Sequence, residues 1–285
     1  MPELFDQLPP ASCHRFEVMP DDIYAAPLDD LARMAWLIAL VRAFETTVLE
    51  LKDADLVHGP AHTSVGQEAV AAAVAVNLRP TDLIASTHRA HGHFLSKAML
   101  AYAPEGYSPL RDAATPPMCE AVYRTLAEIM GLKDGWCGGR GGSMHLYDRA
   151  SGNLGSNAIV GGGIPLATGA AWGEALQGRD TVVVAFFGDG AINQGCFHEV
   201  ANMAALWGAP VIYLVENNLY AVGTSTRESS FVEDLALRAL GYGIESLIVD
   251  GMDPLGLYLA LQTVLPAMRR HPTPFFIEAK TYRWY

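Results

Sequence analysis

The stretch "GDGAINQGCFHEVANMAALWGAPVIYLVENN", Gly188 to Asn218, limits the fold more than any other part of the sequence. It follows an apolar run, "TVVVAFF", and contains a second, "PVIYLVE", with the helix-length segment "NQGCFHEVANMAALWG" between them. Short buried runs joined by a helix-length crossover imply parallel strands. The alternation continues through "FVEDLALRALGY", "IESLIVDG", "DPLGLYLALQTVLPAMRR" and "TPFFIEAKTY", which predicts an α/β fold with a doubly wound, mostly parallel sheet. Ligands of such sheets gather at the carboxyl ends of strands, near the topological switch point. Gly-Asp-Gly and Asn-Asn each follow a strand, so the two are expected to meet.

Upstream, residues 1–27 hold five prolines and no sustained period, and form an arm expected to lie over a surface. From Leu28 to about Lys52 apolar residues recur at threes and fours, which predicts a helix. "GQEAVAAAVAVNL" is a second, small-residue helix, "PEGYSPLRDAATPP" a loop or lid, and "GLKDGWCGGRGGSMHLYDRASGNLGSNAIVGGG" a long glycine-rich connection. Residues 28–285 are expected to form one domain after the arm.

One carboxylate and one amide oxygen make a poor zinc site but suit Mg²⁺, which prefers oxygen ligands and shares its open positions with phosphates. Gly190 and Ala191, expected to open the helix, would present free N–H groups to an anion. The predicted device is a metal–diphosphate clamp with Asp189 and Asn218 on the metal. For each piece alone a helix cap and a turn are the simpler explanations; their joint occurrence after two strands favours the clamp. A dinucleotide site fits badly, because Asp189 would face the pyrophosphate and Gly195 lies two positions too far along.

An anion clamp matters here because the chain is acidic, with a formal net charge of −12. That balance disfavours nucleic acid or an anionic membrane as partner, and any anionic ligand must be held by local cations or amides. Cys13, Cys119, Cys137 and Cys196 form no C-x-x-C pair, which fits a reducing compartment. Glu3 and Asp6 stand where a basic, apolar leader would be, and no uncharged run has membrane-spanning length, so a cytoplasmic protein is expected.

The spacing from Gly-Asp-Gly to Asn-Asn resembles the thiamine diphosphate motif. With "HTSVGQEAV", "STHRAHGH", "GGRGGSMHL", "SNAIVGGGIPLATGAA", "ENNLYAVGT" and "KTYRW" in family order, the chain resembles the alpha subunit of the decarboxylating component of 2-oxo acid dehydrogenase complexes, acetoin dehydrogenase included. The resemblance spans residues 28–284. It implies Asp189, Asn218 and the backbone carbonyl of Tyr220 as Mg²⁺ ligands, and amides of Gly190 and Ala191 on the diphosphate. Arg89 matches the diphosphate-binding arginine, and its neighbour His88 stands where many relatives have Tyr. Ala158, in place of a common Gly, and Val160 match positions whose backbone meets the aminopyrimidine, and Val160 would brace the bent cofactor. His62 matches a position near the reacting carbon and is the candidate proton-transfer group. Pro60 replaces a frequent aromatic.

The implied activity is oxidative decarboxylation of a 2-oxo acid, or cleavage of acetoin, with acyl transfer to a lipoyl carrier protein. Relatives continue past the position of Tyr285 into a loop bearing an active-site histidine, and the activating glutamate is expected from a beta-type subunit or fused beta domain, in an α2β2 assembly. Glu68 and Glu199 are internal candidates with structural explanations. "EAVAAAVAV" and "NMAALWG" are expected contact surfaces. A split transketolase-like ketol transferase and a catalytically incomplete scaffold are the alternatives. A zinc cluster of His88, His91 and His93 is disfavoured by the adjacent Arg89, while His145 and His198 are expected to be structural.

Overall fold

A computed structural model describes residues 11–284, so the first ten residues of the expected arm and Tyr285 lie outside the described residues. The elements are β1 (Cys13–Arg15), α1 (Leu28–Asp53), α2 (Glu68–Asn77), β2 (Leu83–Ser86), α3 (His91–Ala101), α4 (Pro116–Ile129), β3 (Asn153–Ser156), α5 (Gly163–Leu176) and β4 (Val183–Gly188). They continue with α6 (Gly195–Trp207), β5 (Val211–Asn217), β6 (Tyr220–Ala221), β7 (Thr224–Ser225), α7 (Thr226–Ser229), β8 (Ser246–Asp250), α8 (Pro254–Arg270) and β9 (Phe275–Lys280). Seven strands form one sheet in the order β1-β8-β9-β5-β4-β2-β3, and every pairing in it is parallel. β1, within the expected arm, adds the edge strand beside β8.

Both faces are covered, and the central strands show why. In β4, Val184 and Phe186 enter one core with α1, α2, α3 and α8, while Val183, Ala185 and Phe187 enter a second with α5 and α6. In β5, Ile212 and Leu214 face the first core and Val211, Tyr213 and Val215 the second. Strands buried on both sides are continuous hydrophobic runs, as the two apolar segments are.

Three expectations change. "FVEDLALRALGY" is not an α-helix: Leu235–Tyr242 forms a 3-10 run ended by Gly243. α2 is no contact surface, because Ala69 to Ala75 are all buried where it packs among α1, α3 and α8. "PEGYSPLRDAATPP" is a loop pinned to α1 rather than a lid. Arg33 Nε donates to the Tyr107 carbonyl at 2.9 Å, and Arg111 makes a bidentate pair with Asp29 at 2.9 Å.

The glycine-rich connection is organised by one carboxylate. Glu128, at 0% exposure, accepts N–H bonds from Cys137, Gly139, Gly141 and Gly142 at 2.6, 3.0, 2.6 and 3.2 Å. The loop must approach closely to do so: a Cβ on Gly135 would lie 2.7 Å from the Glu128 backbone nitrogen. Glu128→Gln replaces one acceptor oxygen by a donor facing N–H groups. We expect a loss of about 3 kcal/mol of stability by urea denaturation, the scale of a broken buried charge-assisted network.

Candidate functional site

The register of β4 and β5 creates the site. Gly188 pairs with Glu216, so Asp189 and Asn218 leave adjacent strands at the same end of the sheet. Both are buried, at 2% and 8% exposure, and both line a cavity of about 380 Å³. The end of β2 contributes Ser86, the turn after it Thr87, His88 and Arg89, and the approach to α5 Asn157, Ile159 and Val160.

The two asparagines divide the work. Asn217 turns away: its Nδ2 donates to Glu278 Oε1 on β9 at 2.8 Å, and its Oδ1 accepts from Leu219 N–H at 3.1 Å. Asn218 faces the cavity and accepts from Tyr220 N–H at 3.3 Å. Leu219 and Val222 bracket Tyr220–Ala221 with φ of 73° and 57°, an uncommon region for side chains of that bulk. The hairpin lies so close over Gly190 that a Cβ there would stand 2.5 Å from Ala221 Cβ.

Asp189 holds the key polar atom. Its Oδ1 accepts the Gly190 N–H at 2.9 Å, while Oδ2 is buried with no hydrogen-bond partner. Burial raises its pKa, opposed by the Gly190 hydrogen bond. A buried carboxylate oxygen without a partner costs stability unless a cation or donor meets it. Among the described residues no three His, Cys, Asp or Glu side chains gather to hold a metal; Asp189, Asn218 and Tyr220 share the cavity wall and offer only oxygen atoms as ligands. Gly190 and Ala191 do not open α6. They belong to a 3-10 turn, Ala191–Asn193, and the helix begins at Gly195, so the helix dipole does not act there and only the local N–H groups remain.

Arg89 donates to the Thr63 carbonyl at 2.5 Å. Burial, then the like charge of Arg283, lowers its pKa to about 10, which leaves it fully charged at neutral pH. His62 and His88 meet edge to face with ring centroids 4.8 Å apart. Burial first, then Arg89, lowers the pKa of both, that of His88 to about 4. Both are therefore neutral at pH 7.

Of the candidate residues, His62, His88, Arg89, Val160, Asp189, Gly190, Ala191, Asn218 and Tyr220 line this cavity. Ala158 is not in its wall; its neighbours Asn157 and Ile159 are. His91 and His93 belong to separate buried networks, with Glu45 at 2.8 Å and Glu216 at 3.1 Å, which removes the three-histidine cluster. Sequence reasoning missed Glu216 and Arg283. The signal for Arg283 was present, since β9 pairs with β5 and the chain past Lys280 must run to the same end. Tyr285 is outside the described residues, but Arg283 shares the cavity wall with Asp189.

A parallel, doubly wound sheet that gathers Asp189, Asn218 and Arg89 in one cavity defines an α/β protein of transketolase-like fold. Two solved transketolases from Pichia stipitis, in complexes with xylulose-5-phosphate and sedoheptulose-7-phosphate, superpose with TM-scores of 0.63 and 0.60 at 18% and 16% identity. Each match covers 88% of this chain and 36% of the transketolase, a likeness of fold. Residues 117–285 match the family model described as dehydrogenase E1 component. The chain is 40% identical over 86% of its length to the alpha subunit of acetoin:2,6-dichlorophenolindophenol oxidoreductase of Bacillus subtilis, covering 67% of that protein. It is 36% identical to the pyruvate dehydrogenase E1 component subunit alpha of Rickettsia prowazekii, covering 86% of this chain and 69% of that one. The chain belongs to the dehydrogenase E1 component family.

The histidine pair gives a pH dependence of known sign. Because the folded chain holds His88 near 4 while an unfolded histidine titrates near its ordinary value of about 6.5, the unfolded state binds more protons between those values. Stability therefore falls as pH drops from about 6.5 toward 4. His88→Asn should show a shallower loss over that window than wild type, measured by urea denaturation at several pH values; equal slopes would mean His88 does not contribute.

Proposed function

We propose that this chain is the alpha subunit of a thiamine diphosphate- and Mg²⁺-dependent dehydrogenase. It would act in oxidative decarboxylation of a 2-oxo acid or cleavage of acetoin, with acyl transfer to a lipoyl carrier protein. The observation that carries this is Asp189 Oδ2, a buried oxygen without a partner in a cavity it shares with Asn218 and Arg89. The residues fit the group. Asp189, Asn218 and the Tyr220 carbonyl would hold Mg²⁺, and Arg89 with the amides of Gly190 and Ala191 would hold the diphosphate. A unit charge pair at 4 Å is worth about 4 kcal/mol before desolvation at an effective dielectric of 20. The exposed side chain of Val160, in the cavity wall, would take the aminopyrimidine end. When bound, thiamine diphosphate supplies the electron sink for cleaving the bond next to the substrate carbonyl.

The chain's own groups have distinct tasks. Neutral His62 is the candidate proton-transfer group, with His88 packed on its ring. Apolar Ile159, Val160 and Val222 line the cavity wall and are exposed in this chain. A partner fits the disposition of the glutamates. Glu68 is held by the Gly66 N–H at 2.8 Å and by Arg42 at 2.5 Å, Glu199 is exposed, and Glu216 is held by His93. We therefore assign the activating glutamate to a beta-type subunit or fused beta domain. Relatives named for acetoin and pyruvate favour this over ketol transfer, for which the transketolase match supports only the fold.

Asp189→Ala should abolish Mg²⁺-dependent thiamine diphosphate binding in calorimetry, and undiminished affinity would sink the metal assignment. Arg89→Ala should weaken thiamine diphosphate far more than thiamine; equal losses would place Arg89 away from the diphosphate. Turnover of acetoin or a 2-oxo acid panel should need a beta-type partner, and robust activity of the chain alone would refute the divided site.

A further inference from the structure

The cavity contains a charge that diphosphate binding does not call for. Glu216 is 4% exposed and lines the cavity beside Arg89 and Arg283. Its Oε1 lies 3.1 Å from His93 Nε2, and His93 Nδ1 lies 2.8 Å from Ser86 Oγ. The His93 ring, itself 3% exposed, stacks on Phe186 at 3.8 Å and 14°. The carboxylate is thus braced from behind by a side chain that has nowhere to go.

The charged groups facing the cavity are Arg89, Arg283, Asp189 and Glu216, while His62 and His88 are kept neutral. Arg89 loses hydration on burial and is repelled by Arg283, and Glu216 is the foremost opposite charge acting on it. Two partly buried arginines in one wall repel each other, and Arg89 carries that cost. The same carboxylate repels any anion that enters. A group with these two opposite effects stabilises the ligand-free chain and weakens the ligand.

We propose that Glu216 is an affinity-setting counterweight: from the same cavity wall it offsets part of the repulsion that Arg283 exerts on Arg89 when no anion is bound, and opposes the diphosphate when one enters. This rests on the diphosphate reading of the cavity. Glu216 then acts on Arg89 through its charge, with His93 as its brace.

The test uses the full chain, with inorganic pyrophosphate and excess Mg²⁺ as the probe, calorimetry for affinity, and thermal unfolding without ligand. Glu216→Gln should bind magnesium pyrophosphate on the order of tenfold more tightly, as expected for removing one nearby like charge, yet unfold at a lower temperature without it. Glu216→Asp keeps the charge and should stay near wild-type affinity. A merely structural role would lower both affinity and stability in Glu216→Gln. Unchanged or weaker binding by that variant, with wild type binding normally, overturns the proposal alone. Failure of wild type to bind the probe overturns the diphosphate reading and the proposal with it. Glu216→Ala replaces the glutamine variant if that one does not fold, and should tighten binding likewise. If neither folds, Glu216 is a structural residue and the counterweight is refuted.

Discussion

The parallel pairing of β4 with β5 is the constraint on which the rest depends. Gly188 opposite Glu216 sets where both strands end, and so where Asp189 and Asn218 stand. A slip of one residue would turn every side chain of β5 to the other face. Val211, Tyr213 and Val215 would then leave the α5–α6 core, and Asn217 would exchange its glutamate for the cavity. Two full cores hold the register, so the site inherits its geometry from hydrophobic burial on both faces. Among these residues only Tyr213 has a polar end, and it is satisfied by Thr168 at 2.8 Å.

Around that frame the loops are held by buried carboxylates, each charged group meeting several donors. Glu45 accepts Ser64 N–H and Oγ–H, both at 2.7 Å, and meets His91, whose other nitrogen reaches Ser143 Oγ at 2.8 Å. One side chain of α1 thereby ties the loop carrying His62 to the glycine-rich loop. Glu278 binds Asn217 Nδ2 and the Ala236 N–H at 2.8 and 2.9 Å. Buried charges of this kind are costly to leave unpaired, which makes the loops cooperative with the core. The Trp284 N–H reaches the Val65 carbonyl at 3.3 Å, so the segment after β9 is tied to the same loop.

The parts legible in the sequence were those governed by period and strand-end position. Buried strands announce themselves as apolar runs, and Asp189, Asn218 and Arg89 follow strands or carry motifs. What escaped depends on partners distant along the chain. Glu216 ended an apolar run and drew no notice, because its meaning comes from His93 on α3. Glu128 could not be chosen from helix periodicity, since its donors lie in a loop beyond the helix end. "FVEDLALRALGY" carries the helical spacing but winds as 3-10, with Asp234 before it drawn to Lys280 at 2.6 Å. The small residues of α2 were consistent with either a subunit contact or an interior helix, and packing among three helices decided for the interior. In the other expected contact stretch, "NMAALWG", Met203, Leu206 and Trp207 are exposed at 37%, 76% and 41%, and Trp207 stacks on Trp172 with centroids 4.5 Å apart.

The charge balance closes the argument about the ligand. A chain with net charge −12 repels an anion at long range, yet screening confines that repulsion to roughly 8 Å at physiological salt. Inside the cavity the near charges decide, and among the described residues two arginines and two carboxylates line it. A divalent cation on Asp189 changes the sum, because it cancels one carboxylate and brings its own charge to the phosphates. On the proposed reading, metal and diphosphate would assist one another's binding: each would be weakly held by the residues alone and firmly held when the other is present. The buried Oδ2 of Asp189 and the charged Arg89 are the two ends of that mutual dependence, and the register of two strands keeps the carboxylate end in place.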